Sequence, residues 1–496
     1  MQKPIMLREK KYHICFIVIL FCCHALVAQQ PASRPGFPAT GDITDTTLHH
    51  SSGSVPAPAD VVVGEIRLAG NKKTKAIIIL REIPFSSGEG YPLEVLVKKF
   101  EAARRQLMNT ALFTSVIVAA GTIEGNRVNV TVIVKERWYL FPLPYFRPVD
   151  RNLNQWLVEQ NGSLKRVNYG AKLYYNNATG RNDKFRLGLT NGYTKQLSLS
   201  YDRLYIDKKL KWGMKLAFAT GKNREINYNT INDKQVFLKD ENNYIRNFTT
   251  ASVELTYRRA IKTRHSFGVG YVTEQINDTI VTLNPSYFKS GRNRISFPGF
   301  YYSMTWFDLD YIPYPTKGYA AQLSIGKSGL NNIINIWQLH GKGSATWPLS
   351  AKSFFNLNMY GGIKLPFKQP YFNQRFLGYG DVFMQGFEYY VIDGVAGGYL
   401  KTTFTRELLN FNIKVPPRKK GKEGERIPVR IFGKVFGNTG YVHNPQPGDN
   451  SLSNKMLYSG GFGIDILTFY DVTFKLEWTF NSLGQNGIFL HRKTTF

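Results

Sequence analysis

Val472-Thr473-Phe474-Lys475-Leu476-Glu477-Trp478-Thr479-Phe480 places five apolar side chains on one parity and Thr473, Lys475, Glu477 and Thr479 on the other. In an extended strand successive side chains point to opposite faces, so this segment asks for grease on one side and water on the other. Val167, Tyr169, Ala171, Leu173 and Tyr175 repeat the pattern, as do Trp212, Met214, Leu216 and Phe218 with Lys211 and Lys215 between them. Working outward from these stretches, sixteen alternating strands fill residues 138–496, the first near 138–147 and the last at 487–496. No stretch is apolar enough to cross a bilayer as a helix. A closed sheet with lipid outside and a polar lumen inside satisfies both faces and all its backbone amides.

A soluble β-sandwich also alternates, so the features outside the strands decide. Lys3, Arg8, Lys10 and Lys11 precede the apolar run Ile14 to Phe21, and Ala28 offers a small residue for cleavage, so residues 1–28 read as a secretory signal peptide. The run falls short of the roughly 20 residues of a spanning anchor. All three cysteines, Cys15, Cys22 and Cys23, lie in this segment, leaving no thiol for a disulfide or thiolate metal site elsewhere. The net charge is +29. For an exported barrel that sign suits membrane lipids and anionic surface glycolipids as partners, and no nucleic acid is expected.

Residues 29–58, with Pro31, Pro35, Pro38, Pro56 and Pro58 among small polar residues, read as a disordered linker. Residues 59–137 differ. A strand at Val61 to Leu68, a short helix at Lys75 to Glu82, an amphipathic helix from Pro92 to about Thr110, and strands at Val116 to Ala119 and Val128 to Val134 give β-α-α-β-β order. With Gly70-Asn71, Leu80-Arg81-Glu82 and the run Leu107 to Phe113, this unit resembles a POTRA domain. A three-stranded sheet with a free edge is able to accept a passing strand, and a structural spacer is the other reading. The fold expected is therefore mainly β: a 16-stranded antiparallel transmembrane β-barrel at 138–496 behind one small α+β POTRA-like domain.

Between strands eleven and twelve runs Arg375-Phe376-Leu377-Gly378-Tyr379-Gly380-Asp381-Val382-Phe383-Met384-Gln385-Gly386-Phe387-Glu388-Tyr389-Tyr390. It resembles the sixth extracellular loop of the outer-membrane protein assembly factor superfamily, whose best-known member is the BamA insertase. In that family the loop folds into the lumen with a Val-Arg-Gly-Phe/Tyr tetrad, matched here by Met384, Gln385, Gly386 and Phe387. Asp308 with Pro315-Thr316-Lys317-Gly318 at an inner turn, Asn177 with Gly180, and Phe436-Gly437-Asn438-Thr439-Gly440 also match. The chain departs from the pattern at Gln385, where the family has arginine, and at Asn438, where it has the acidic partner. Both charges are absent together, so Gln385 and Asn438 are expected to form a neutral latch, with Gly440 beside it.

The resemblance implies an insertase or translocase of the bacterial outer membrane, with its POTRA-like domain in the periplasm. Its partners would be unfolded outer-membrane or secreted polypeptides, with periplasmic or lipoprotein accessory factors, and it would need no cofactor. Pro142 and Pro144 lack N–H groups on one edge of strand one. Either that edge faces strand sixteen, ending at Phe496, and the barrel has a weak lateral seam, or the prolines belong to the entry linker. A passive channel or nutrient porin is the rival reading. No catalytic constellation is present, so no enzyme is expected. Residues 410–426, rich in Lys and Arg, read as a long periplasmic connection, and Glu254 and Glu477 as lumen carboxylates paired with basic residues.

Overall fold

Alternation along the chain becomes register in the fold. A computed structural model describes residues 60–149, 156, 161–289, 291–331, 333–415 and 425–491. The signal, the linker and Phe496 lie outside them. Sixteen strands follow one another in chain order in one antiparallel sheet. They are β5 (Leu140–Pro148), β6 (Val167–Asn176), β7 (Lys184–Gly192), β8 (Thr194–Tyr205), β9 (Trp212–Asn223), β12 (Arg246–Tyr257), β13 (Thr263–Ile276) and β14 (Arg294–Leu309). The second half is β15 (Gly318–Ser328), β16 (Ile336–Pro348), β17 (Ser353–Leu365), β20 (Ala396–Val415), β21 (Glu425–His443), β22 (Met456–Leu467), β23 (Thr473–Asn481) and β24 (Asn486–His491). In β23, Leu476, Trp478 and Phe480 are 50%, 42% and 45% exposed, whereas Glu477 and Thr479 are each 1% exposed. The apolar parity is outside and the polar parity is inside, which is the pattern of a membrane barrel.

The N-terminal unit is a four-stranded sheet, one strand more than the sequence suggests: β2 (Gly90–Tyr91), β1 (Val61–Ala69), β4 (Arg127–Glu136) and β3 (Phe113–Glu124), in that order. Two residues leave too short a pattern for alternation to reveal β2. Helices Ala76–Leu80 and Leu93–Asn109 bury Ile78, Ile79, Leu96, Ala103 and Leu107 against the sheet. On its outer side β3 is an edge strand with no described partner, and Ile117 and Ile123 are exposed along it.

This unit is sutured to the barrel's inner turns. Gly180 O accepts from Lys75 N–H at 2.9 Å, and Asn177 Nδ2 donates to Thr74 Oγ1 at 2.9 Å. Arg81 donates to Tyr205 OH at 2.8 Å, and Asn109 binds Leu309 O and Ile312 N–H at 3.2 and 2.9 Å. Glu82, 5% exposed, takes both guanidinium arms of Arg258 at 2.5 and 2.6 Å. Arg137 reaches Asp471 at 2.7 Å. Five inner turns thus grip one small domain.

The connection assigned to 410–426 is instead largely strand. The β20–β21 ladder continues to Val415↔Glu425, although β17 stops pairing at Arg406 and β22 at Arg430. Leu409, Phe411 and Ile413 pair with Ile431, Val429 and Ile427, so the two-residue apolar period outlasts the barrel rim. Residues 416–424 lie outside the described residues. The other lumen carboxylate, Glu254, meets Lys215 at 3.8 Å.

Removing Arg258 leaves the buried Glu82 carboxylate without its fork. Arg258→Ala should cost about 3–5 kcal/mol at the junction and admit protease between the two parts. Burial works to raise the Glu82 carboxyl, yet the hydrogen bond and charge of Arg258, followed by the charges of Arg81 and Arg264, hold it below its ordinary value. Its stabilisation is therefore full above the unfolded carboxylate pKa of roughly 4.3 and is lost as pH falls toward the lowered folded value. Proteolysis across pH should show a firm junction at pH 6 and release only in acid.

Candidate functional site: loop, lumen and seam

The loop between β17 and β20 is held by apolar packing at its tip. Met384 and Phe387 are 2% and 3% exposed and pack with Tyr360, Phe376, Val442 and Leu457. Gly386 sits at φ +89°, and a Cβ there would meet Ser459 Cβ at 2.7 Å and Phe480 O at 3.0 Å. Gly440 leaves room for Met384, whose sulfur lies 3.0 Å from where a Gly440 Cβ would stand. The tetrad therefore lies against the inner wall of β21–β23.

The expected Gln385–Asn438 pair is not formed directly. Gln385 Nε2 donates to Glu477 Oε1 at 3.1 Å. Asn438 Nδ2 donates to Ser459 Oγ at 3.1 Å, and Ser459 Oγ donates to the main-chain oxygen of Gln385 at 2.5 Å. A serine on the intervening strand β22 relays the contact, because β21, β22 and β23 lie side by side and Gln385 reaches past Asn438 to the strand beyond. Glu477 remains a charge, met by Lys434 at 2.5 Å, and Lys434 also meets Asp465 at 2.5 Å. Tyr314 OH, from the inner turn after β14, donates to Asp465 at 3.0 Å. A polar chain thus runs Tyr314, Asp465, Lys434, Glu477, Gln385, from the periplasmic turn to the outer loop.

The inner-turn motif is organised by a residue the motif did not name. Asp308 binds Lys262 of the neighbouring turn at 2.6 Å. Asp310 ties the turn itself, accepting from Thr316 N–H and Lys317 N–H at 3.0 and 3.1 Å, with Pro315 between and Gly318 paired to Leu309. Tyr311 OH donates to Asp471 near the end of the chain. The turn therefore reaches across the periplasmic mouth.

The outer mouth is crossed as well. A hairpin of β10 (Glu225–Ile231) and β11 (Lys234–Lys239) rises between β9 and β12. Its Asp233 accepts from Ser451 N–H and Leu452 N–H, at 2.9 and 3.1 Å, in the connection from β21 to β22. Val391 N–H donates to Asp233 O at 2.9 Å. Strands five and fourteen stand far apart around the ring, so this contact bridges the opening. An apolar cluster including Ile226, Ile280, Tyr287, Ile334 and Tyr371 seals the cap. Asp233 was missed because a lone turn aspartate carries no pattern.

At the seam, parity settles which way the prolines look. Asn176 N–H donates to Tyr139 O at 2.8 Å and Val149 N–H to Arg166 O at 2.9 Å, both in register with the β5–β6 ladder. Odd residues of this segment therefore turn their polar groups to β6, and even residues turn theirs to the opposite edge. Pro142 and Pro144 are even, and so is Pro148, so three of the five edge-facing residues of β5 carry no N–H. Among the described residues no ladder joins β5 to β24.

The profile of the Omp85 superfamily domain matches residues 177–469, more than half of the chain. The chain belongs to the Omp85 superfamily. Residues 61–137 match the POTRA profile described as surface antigen variable number repeat. The fold is similar to that of CdiB from Escherichia coli, at 12% identity over 86% of this chain and 75% of that one, with a TM-score of 0.53. BamA from Haemophilus ducreyi lacking POTRA domains 1–3 shares 16% identity over 87% and 83% of the two chains, with a TM-score of 0.46. No curated protein matches. This Omp85 protein resides in the outer membrane with its POTRA domain in the periplasm, and it serves outer-membrane protein insertion or secretion, handling unfolded polypeptides.

The relay has a measurable consequence. Gln385→Ala and Asn438→Ala should couple through Ser459 by about 0.5–3 kcal/mol in a double-mutant cycle on loop protection, and the coupling should vanish in a Ser459→Ala background. Coupling that survives Ser459→Ala would restore the direct latch. Gly386→Ala, strained and clashing, should expose the loop to added protease.

Proposed function

We propose that this Omp85 protein is an insertase or translocase that captures an unfolded strand by β-augmentation and passes it through a weak lateral seam, without catalysis or cofactor. The observation that carries the reading is the β5 edge, where Pro142, Pro144 and Pro148 withhold three N–H groups from the strand that would close the ring. In hydrocarbon an unpaired backbone group costs several kcal/mol. An edge built with missing donors loses fewer bonds when it parts, and it presents free acceptors to a newcomer.

Capture is assigned to the outer edge of β3 in the POTRA domain, which the sheet leaves without a described partner. Main-chain bonds on such an edge give affinity with little demand on sequence, as a machine with many clients requires. The porin reading is disfavoured by the two bridged mouths: Asp233 ties the outer loops across one, and the turn carrying Tyr311 and Tyr314 crosses the other. A passive pore has its lumen open at rest.

Depletion separates the two. An insertase should lower the level of many other outer-membrane barrels, whereas a porin should change only solute uptake. Disulfides between cysteines placed one in 140–148 and one in 486–491 should stop client insertion and restore it on reduction; undiminished insertion would refute the seam. Lysines at Ile117 and Ile123 should weaken client cross-linking to β3 by blunting its edge.

A further inference from the structure

Three side chains from different elements aim acceptor atoms at one point beside the seam. Glu388 comes from the loop, Glu477 from β23 and His491 from β24, and their ligand atoms lie within 4.8 Å of one another. His491 Nε2 stands 3.4 Å from Glu388 Oε1 and 3.3 Å from Glu477 Oε2. None of these three atoms has a hydrogen-bond partner, although Glu477 is 1% exposed. The three atoms stand at ion-pair distance, and no hydrogen bond joins them.

We propose that Glu388, Glu477 and His491 form a zinc site, with a water as fourth ligand. Zinc takes imidazole nitrogen and carboxylate oxygen at 2.0–2.2 Å in a tetrahedron, whose edges are then about 3.3 Å. The two measured separations from His491 match that edge. The second oxygen of each carboxylate is already held, as good metal sites require. Glu388 Oε2 accepts from Gly386 N–H at 2.8 Å, and Glu477 Oε1 accepts from Lys434 and Gln385 at 2.5 and 3.1 Å. The His491 ring stacks on Phe383 with centroids 5.1 Å apart.

Lys434 divides its charge between Glu477 and Asp465, Lys475 stands opposite Asp465 on the ladder, and Lys401 lies over the rings of Phe383 and Tyr399. Glu388, which no lysine or arginine side chain bonds among the described residues, and the second oxygen of Glu477 supply the negative charge a divalent ion needs. Zinc here would pin the loop to the last two strands of the barrel, so that release of strand β24 requires loss of the ion or of the loop.

The test uses untagged full-length protein folded in detergent, stripped with chelator and titrated with zinc chloride by calorimetry, with bound metal counted after dialysis. One zinc per chain is expected, with Glu388→Gln and His491→Gln each weakening binding at least about tenfold. Heat-modifiable gel migration checks that each barrel is folded; Glu388 lies on the loop, outside every ladder, so its variant serves if the strand variant fails. No zinc uptake, or uptake unchanged in Glu388→Gln, would overturn the site. So would loop protection that rises on acidification in zinc-free buffer, which would place a proton where the ion is assigned. Zinc uptake is read without a client, so its failure leaves the insertase reading standing.

Discussion

Hydrocarbon supplies no hydrogen bonds, so a chain that crosses it as strands must pair its amides with its own backbone. That constraint generates the structure: fifteen consecutive antiparallel ladders account for the wall. It also gives meaning to the place where it is violated. Proline at positions 142, 144 and 148 removes donors from the single edge of β5 that β6 does not use. A sheet that elsewhere spends long ladders, such as the nineteen paired residues of β20 on β21, here offers a poor one.

Other contacts take up what the backbone leaves undone. Below the seam, Arg137 and Trp138 reach Asp471 and Tyr470 on the turn before β23. Above it, the loop grips the last strands through Gln385, Glu388, and the Tyr389–Phe489 ring pair at 5.2 Å. Side chains are replaceable partners. In the proposed mechanism they would let the first strand separate from the last without unfolding either, and would connect that separation to the POTRA domain on one side and to the loop on the other.

Much of this is legible in the sequence alone. All sixteen strands follow from two-residue alternation, which a half-wet, half-greasy wall imposes on every strand, and the first, read near 138–147, is found at Leu140–Pro148. The prolines were legible as missing donors, but their direction required the flanking bonds of Tyr139 and Val149. The ribbon beyond the rim is hidden by the basic sequence that follows it: Leu409, Phe411 and Ile413 keep the period, but Lys414 and the run that follows read as a loop. Ser459, Asp310, Asp233 and His491 carry no pattern of their own. Their roles arise because the barrel brings distant segments together, and the Gln385–Asn438 expectation failed for the same reason, since the strand between them cannot be inferred from the two residues alone.

Hydrogen exchange, resolved by strand in lipid, reports how firmly the first and last strands are joined. A weakly joined seam predicts amides of residues 140–148 and 486–491 exchanging orders of magnitude faster than those of the β20–β21 ladder within the wall. Protection of β5 and β24 equal to that of β20 and β21 would show a ring closed uniformly, with no weak seam.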